Sequence, residues 1–154
     1  MIVVECNADQ LLIESMQFPK RMIIHAGNKG NVVNKVKKLS KSVGIIDQDP
    51  QSEQPGELKN YKNSTTLGTI KLLENKYDKA KYLIQISPDL EHWVLKRAKV
   101  SNINPKDYSL PDNAKDLHRL TNIKKSKYRD FLKKLIDSDD ELKIMQGWIK
   151  QILR

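Results

Sequence analysis

The sequence predicts an α/β fold with a mostly parallel central sheet, helices on both faces and further helices at the C-terminal end. Short apolar runs alternate with helical periodicity in the first half of the chain. A βαβαβ order of this kind favours parallel strands joined by right-handed crossovers. The length of 154 residues suits one domain. We expect an α/β core over residues 1–95 and a helical C-terminal extension over residues 96–154.

The first predicted strand is the β-branched run Ile2–Glu5, which is typical of a buried strand. Apolar spacing over Ala8–Met16 predicts the first helix. Asp9 falls in its first turn, where a carboxylate interacts favourably with the helix dipole. Phe18-Pro19 is expected to end this helix.

The next elements continue the alternation. Met22–Ile24 is predicted as the second strand, and His25–Asn31 as a glycine-containing turn. Apolar residues over Val32–Leu39 recur at helical spacing, and Val43–Ile46 is predicted as the third strand. Residues Pro50–Thr66 interrupt the pattern, and the polar, turn-rich run Gln51–Gly56 is expected to be an exposed loop.

Two further strand-like runs follow, Thr69–Leu73 and Tyr82–Ile86. The segment Glu74–Lys79 between them is compatible with a hairpin turn or with a helix, and the residues alone do not decide. Ser87-Pro88-Asp89 is typical of a helix start. Ile103–Pro111 is expected to be irregular because it has a proline near each end.

Apolar stripes predict two helices in the last third of the chain. The stripes comprise Tyr128, Phe131, Leu132, Leu135 and Ile136 in one helix, and Leu142, Ile144, Met145, Trp148, Ile149 and Ile152 in the other. Such stripes are typical of packing faces. We therefore interpret this region as structural rather than as a cofactor site.

The net charge of +9 favours an anionic partner, and nucleic acid is the common intracellular polyanion. Basic residues are concentrated at Lys35, Lys37, Lys38 and Lys41, and again at Lys124, Lys125, Lys127 and Arg129. Neither cluster has the aromatic interleaving expected of a base-stacking platform, since Tyr128 is the single aromatic residue among them, so contact with the phosphate backbone is favoured. A lysine-rich surface that serves only solubility is the alternative.

No long apolar run is present, so we expect no membrane partner. The chain starts directly with strand-like residues, and we expect no signal peptide. The single cysteine, Cys6, has no partner for an internal disulfide, which favours a reducing, cytoplasmic location.

Acidic residues follow two of the predicted strands. Asp47 and Asp49 come directly after the third strand, and Glu5 ends the first. Because the carboxyl ends of parallel strands meet at one edge of a sheet, these acids are expected to converge. Strand alternation would direct Asp47 and Asp49 to the same side. Carboxylate oxygens are suitable ligands for Mg²⁺ or Mn²⁺. The alternative interpretation is that Asp-x-Asp-Pro is an ordinary polar turn.

Two other places are candidate parts of a site. Gly27 and Gly30 would let the backbone approach a phosphate, and Lys29 would add charge at a helix N-terminus. An ordinary strand-to-helix connection explains the same turn. Glu91, at the start of a helix, is a candidate ligand for a second metal ion or simply a first-turn acid. His118 is expected at the surface or in packing, because its spacing from the other histidines does not suit zinc.

These residues resemble the TOPRIM domain. The resemblance covers roughly residues 1–95: a first strand ending in Glu5, a helix, a second strand, a glycine-containing turn, and a third strand ending in Asp47-Gln48-Asp49. It is nearest to small stand-alone TOPRIM-like proteins of unassigned function, akin to the nuclease domain of OLD-type proteins. It implies a three-layer fold, a catalytic role for Glu5, and metal binding by Asp47 and Asp49. Asp9 lies where several members carry an acid.

The chain departs from the family in ways that bear on function. Cys6 follows the glutamate where glycine is common, and no Gly-x-x-x-x-Gly-Lys-Ser/Thr motif is present for an ATPase. The leading hypothesis is a Mg²⁺- or Mn²⁺-dependent nuclease acting on nucleic acid. The alternatives are a non-catalytic TOPRIM-like module that partners a separate ATPase in defence or DNA repair, and a nucleotide-binding regulatory domain.

Overall fold

The computed structural model describes residues 1–154 and contains a six-stranded mixed sheet with six α-helices. The strands are β1 (Ile2–Val4), β2 (Ile23–His25), β3 (Ser42–Asp47), β4 (Tyr61–Leu67), β5 (Ile70–Asn75) and β6 (Lys81–Ile86). The helices are α1 (Asn7–Ser15), α2 (Lys29–Lys38), α3 (Leu90–Val100), α4 (Ala114–Leu120), α5 (Lys125–Ser138) and α6 (Asp140–Leu153). The predicted α/β class is confirmed.

The strand order is β2-β1-β3-β6-β5-β4. The neighbours β2, β1, β3 and β6 are parallel, whereas β5 is antiparallel to both β6 and β4. The sheet is therefore mixed rather than purely parallel. Its parallel part places the carboxyl ends of β1, β3 and β6 side by side, which is the edge where ligands gather in open α/β sheets.

Apolar side chains cover both faces of the sheet, as strand alternation requires. Ile2, Val4 and Ile45 belong to a larger cluster that also contains residues of α1, α3, α4, α5 and α6. Val3 and Ile46 belong to a smaller cluster, to which α2 is the only contributing helix. The larger cluster contains residues from both sides of position 95, so the C-terminal helices share one core with the sheet.

Gly44 explains how closely α2 lies against β3. A Cβ atom at this position would come within 2.7 Å of Val32, 2.8 Å of Leu83 and 2.9 Å of Val36. Contacts below 3.0 Å require neighbouring atoms to move. Close packing of α2 on β3 therefore depends on the missing side chain, and this packing fixes the strand that ends in Asp47.

β4 begins at Tyr61, inside the segment Pro50–Thr66 where the sequence predicts no strand. This edge strand buries Tyr61 and exposes polar Lys62–Thr66, so it lacks the apolar alternation that indicates a strand. The segment Glu74–Lys79 contains the turn between antiparallel β5 and β6, which decides in favour of the hairpin. The region predicted to be irregular contains one 3₁₀ turn, Pro105–Tyr108.

A buried ionic network joins α3 to the start of α6. The Nη2 atom of Arg97 lies 2.7 Å from Oδ1 of Asp139, and its Nη1 atom lies 3.3 Å from Oε1 of Glu141. Trp93 Nε1 and Thr69 Oγ1 donate to the other Glu141 oxygen at 2.7 and 3.0 Å. We call these residues the Arg97 network. Both carboxylates are satisfied within the protein, as buried charges require.

None of the helices combines the length and the apolar composition needed to cross a membrane.

Candidate functional site

Five carboxylates gather at the carboxyl ends of three adjacent parallel strands. They are Glu5 and Asp9 after β1, Asp47 at the end of β3, and Asp89 and Glu91 after β6. We call this group the strand-end acid cluster. Its position follows from the order β1-β3-β6, which brings acids from distant parts of the sequence to one edge.

Glu5 and Asp47 are in direct contact. The backbone N–H of Asp47 donates to Oε1 of Glu5 at 3.0 Å. The side chain of Asp47 follows Ile45 by two residues, so it points to the sheet face covered by the larger apolar cluster. Burial raises the pKa of Glu5, and this outweighs the opposing effects of the Asp47 amide and of Lys29. The convergence expected for these two acids is present in the structure.

Asp9 is a buried member of the cluster, with 3% of its surface exposed. Its Oδ2 atom accepts hydrogen bonds from the backbone N–H groups of Glu5 at 3.1 Å and Cys6 at 3.0 Å. These bonds shape the turn between β1 and α1 and hold Glu5 at the edge of the sheet. Burial, with a smaller contribution from Glu5, raises the pKa of Asp9 to about 7.

Asp47 carries the largest electrostatic penalty of the cluster. Burial, followed by repulsion from Asp9, Glu5, Glu91 and Asp89, raises the pKa of Asp47 to about 9. The charges that act on it most strongly are therefore all carboxylates. A group in this environment takes up a proton or a cation from solution.

Asp49 differs from the prediction in its geometry. β3 ends at Asp47, and Asp49 has a φ of +41°. Strand alternation therefore does not extend to Asp49. The prediction that Asp47 and Asp49 point to the same side assumed a strand that continues to Asp49, and the strand ends before it. Asp49 is exposed, and its charge acts on Glu5 by raising the pKa of that carboxyl. Its backbone N–H donates to Pro88 O at 2.8 Å, which joins this loop to the one before α3.

Lys29 anchors the loop after β3. Its side chain is 8% exposed, and Nζ donates to Gln48 O at 2.8 Å, Gln54 Oε1 at 3.2 Å and Ser52 Oγ at 3.4 Å. The ammonium group is thus fully engaged inside the protein. The structure gives Lys29 a positioning role, and phosphate binding by this residue stays a prediction.

The glycine turn has one position that requires glycine. Gly27 has a φ of +95°, in the left-handed region, and its N–H donates to Glu5 O at 2.9 Å. At Gly30 a Cβ atom would lie 3.4 Å from Asn28, which is close to ordinary contact. The Gly27 amide is therefore already used to continue the pairing beside β1. Phosphate binding by Gly27 and Gly30 remains a prediction.

Glu91 lies in the first turn of α3, but the residue that caps this helix is Asp89, whose side chain accepts from the His92 N–H at 2.9 Å. Glu91 itself is buried, and its Oε1 atom lies 2.8 Å from Nδ1 of His118 on α4. The structure therefore places Glu91 beside the other strand-end acids, with a partner from the C-terminal helices.

Sequence reasoning did not identify Asp89, His118 or Tyr128 as neighbours of the site. Asp89 is recognisable as a helix cap, but its proximity to Asp47 depends on the pairing of β3 with β6. His118 belongs to α4, a helix that no apolar stripe predicts. Tyr128 belongs to an apolar stripe of α5 and has no sequence signal that separates it from packing residues.

Cys6 is unsuited to act as a nucleophile. Burial, then the charge of Asp9, raises the pKa of the Cys6 thiol to about 12. A thiol in this environment stays protonated at neutral pH, and only the thiolate is strongly nucleophilic. The Cys6 side chain instead packs against the larger apolar cluster.

The acids lie near one another but do not form a complete metal-coordination site. No group of three or more His, Cys, Asp or Glu side chains is arranged to hold a metal ion as the side chains stand. Comparison with family models, with curated proteins and with solved structures gives no match for this chain. The resemblance to the TOPRIM domain therefore rests on the residues and on their order along the chain.

Proposed function

We propose that this protein is a TOPRIM-like nuclease, with the three-layer fold of that family, that uses Mg²⁺ or Mn²⁺ to act on phosphodiester bonds of nucleic acid. One observation carries the proposal: acids from β1, β3 and β6 meet at one sheet edge, and the charges that act most strongly on Asp47 are all negative. No lysine or arginine forms an ion pair with any of these acids, whereas the acids of the Arg97 network share a guanidinium group.

The donor chemistry fits a hard divalent cation. Carboxylate oxygens are the ligands that Mg²⁺ prefers, and it usually keeps several waters, so two or three acids suffice. Asp47, Asp49 and Glu91 would hold the ion after changes in their side-chain rotamers. When bound, such an ion polarises a phosphoryl oxygen and lowers the pKa of water.

Glu5 would move a proton in the proposed reaction. Its Oε1 atom accepts from the Asp47 amide, which leaves Oε2 for exchange with an attacking water or a leaving oxygen. Burial raises the pKa of Glu5 above its ordinary value. A carboxyl with this shift is better suited to general acid–base catalysis near pH 7 than an exposed one.

A basic helix face borders the acids and supports a nucleic-acid substrate. Lys115, His118 and Arg119 lie at positions i, i+3 and i+4 of α4, so they share one face of that helix. His118 contacts Glu91 directly. This face would attract the phosphate backbone towards the acids, and the net charge of +9 adds a favourable long-range field.

The test is cleavage of labelled single- and double-stranded DNA and RNA in Mg²⁺, in Mn²⁺ and in chelator. We expect metal-dependent cleavage by the wild type and a loss of at least about 100-fold in Asp47→Asn and in Glu5→Gln. Asp116→Asn, which alters an exposed first-turn acid of α4, is the matched control and should retain full activity.

Equal activity in the wild type and both variants would contradict the proposal. Metal binding without cleavage of any substrate would contradict the catalytic part, and would favour the non-catalytic module that partners an ATPase.

A further inference from the structure

The hydroxyl of Tyr128 is a buried polar group without a partner. Tyr128 is completely buried on α5, and its hydroxyl oxygen is the one buried side-chain polar atom in the chain that has no hydrogen-bond partner. Buried polar groups in folded proteins are almost always hydrogen-bonded, and an exception usually marks a functional group or a missing ion or water. A phenylalanine would fill the same apolar space without this penalty.

The surroundings of this hydroxyl are acidic. Burial, followed by the charges of Glu91 and Asp9 and then of Cys6 and Asp47, raises the pKa of Tyr128 well above its ordinary value. The phenol therefore stays protonated at physiological pH, with one hydrogen to donate and lone pairs to accept. Its ring stacks on Phe131 with centroids 6.3 Å apart.

A second contact from the C-terminal helices reaches the same acids. His118 Nδ1 lies 2.8 Å from Glu91 Oε1, and the carboxylate oxygen is the acceptor in this pair. The imidazole thus occupies one oxygen of Glu91 and leaves Oε2 for another ligand. Ligating carboxylates commonly need such an outer partner to hold their orientation.

We propose that α4 and α5 complete the cation site: the Tyr128 hydroxyl accepts a hydrogen bond from a cation-bound water, while His118 orients Glu91. Both are positioning residues, because Tyr128 would act on the cation through a water and His118 through Glu91. The inference rests on the proposed function, and it assigns a role to helices that lie outside the TOPRIM-like residues 1–95.

The Tyr128→Phe variant separates this role from a structural one by the direction of its effects. In the metal-free protein it removes an unpaired buried polar group, so the melting temperature should stay the same or rise by up to about 4 °C. Affinity for Mn²⁺ measured by calorimetry should fall about 10-fold. A hydroxyl that served packing or folding would give a lower melting temperature and unchanged affinity.

Tyr82→Phe is the matched control because Tyr82 pairs with Val43 near the amino end of β3, away from the acids. It should leave Mn²⁺ affinity unchanged. For the second residue, His118→Ala should weaken Mn²⁺ binding several-fold, and His118→Asn should restore most of it, since the amide nitrogen replaces Nδ1. His118 is exposed, so neither change should prevent folding.

Wild-type binding together with unchanged affinity in Tyr128→Phe and His118→Ala would overturn this inference and leave the proposed function intact. A lower metal-free melting temperature in Tyr128→Phe would overturn the role of its hydroxyl. Absence of Mn²⁺ binding by the wild type would overturn the metal-dependent function itself, and this inference with it.

Discussion

Two groups of buried acids in this molecule have opposite surroundings. In the Arg97 network, Asp139 and Glu141 share the guanidinium of Arg97 at 2.7 and 3.3 Å. In the strand-end acid cluster, Asp47 is repelled by its neighbours and the pKa of Asp9 is raised to about 7 by burial and by a nearby acid. The strand-end acid cluster is buried at Asp9 and Glu91 and half-buried at its other members, yet only the first group is paired with an arginine.

The difference separates structural acids from candidate functional acids. Hydrogen bonding to Asp139 raises the pKa of Arg97, so this ion pair favours the folded state. The strand-end acid cluster disfavours the folded state unless protons or cations bind to the acids. Functional sites commonly carry this kind of local instability, and the rest of the fold must compensate for it.

Breaking the Arg97 network should have the largest effect on stability. Arg97→Leu leaves Asp139 and Glu141 buried without a cation, which should lower the free energy of unfolding by about 3–5 kcal/mol. Urea denaturation measures the loss. Arg119→Leu, an exposed arginine whose nearest acid is 3.9 Å away, should change stability by less than about 0.5 kcal/mol. A similar small loss in Arg97→Leu would show that this network is not the stabilising counterpart of the acid cluster.

The second prediction concerns pH. The folded pKa values of Asp9 and Asp47, about 7 and about 9, lie above the ordinary value of 3.8. At these two sites the folded state therefore holds more protons than the unfolded state from about pH 4 to pH 9, so their contribution to stability falls as pH rises through this window. In chelator, we expect the free energy of unfolding to fall by on the order of 1 kcal/mol per pH unit, as measured by urea denaturation.

The matched variant for the pH prediction is Asp47→Asn, which removes the acid with the larger shift. It should be more stable than the wild type at pH 8 and should flatten the pH dependence. Adding Mg²⁺ should stabilise the wild type at pH 8 and have little effect on this variant. Wild-type stability that rises from pH 5 to pH 8 in chelator would contradict the uncompensated character of the cluster.

The smallest expected effect distinguishes two roles of Lys29. Lys29→Met removes the bonds that hold the loop after β3, and should cost about 1 kcal/mol and increase proteolysis of the loop near Gln54. Lys35→Met, an exposed change on the same helix, should do neither. A variant with intact stability but weakened nucleic-acid binding would instead establish Lys29 as the phosphate ligand that the sequence predicts.

The predictable part of the fold is the part with apolar periodicity. The buried strands β1, β3 and β6 and the amphipathic helices α1, α2, α5 and α6 follow from spacing alone. Contact between Glu5 and Asp47 was predictable because two parallel strands end in acids. β4 was not, because an edge strand with a solvated face carries polar residues that are equally typical of a loop.

The less predictable part of the site depends on contacts between distant segments. The left-handed backbone of Asp49 ends the strand alternation that the sequence suggests. Lys29 appears as a charge at a helix start, whereas its burial depends on the loop that folds over it. Tyr128 belongs to a stripe in which every residue has the same apolar spacing, and only the three-dimensional arrangement distinguishes its unpaired hydroxyl.

The outer strand β4 has a consequence for the behaviour of the protein at high concentration. One side of this strand has no neighbour in the sheet, and an open edge can recruit another chain into intermolecular pairing. Here the register shifts between Asn63 and Thr65, and the exposed run Lys62–Thr66 is polar and carries a lysine. An irregular, hydrophilic edge is a poor template for aggregation. The polar residues that make β4 resemble a loop in the sequence therefore also protect the sheet from pairing with other chains.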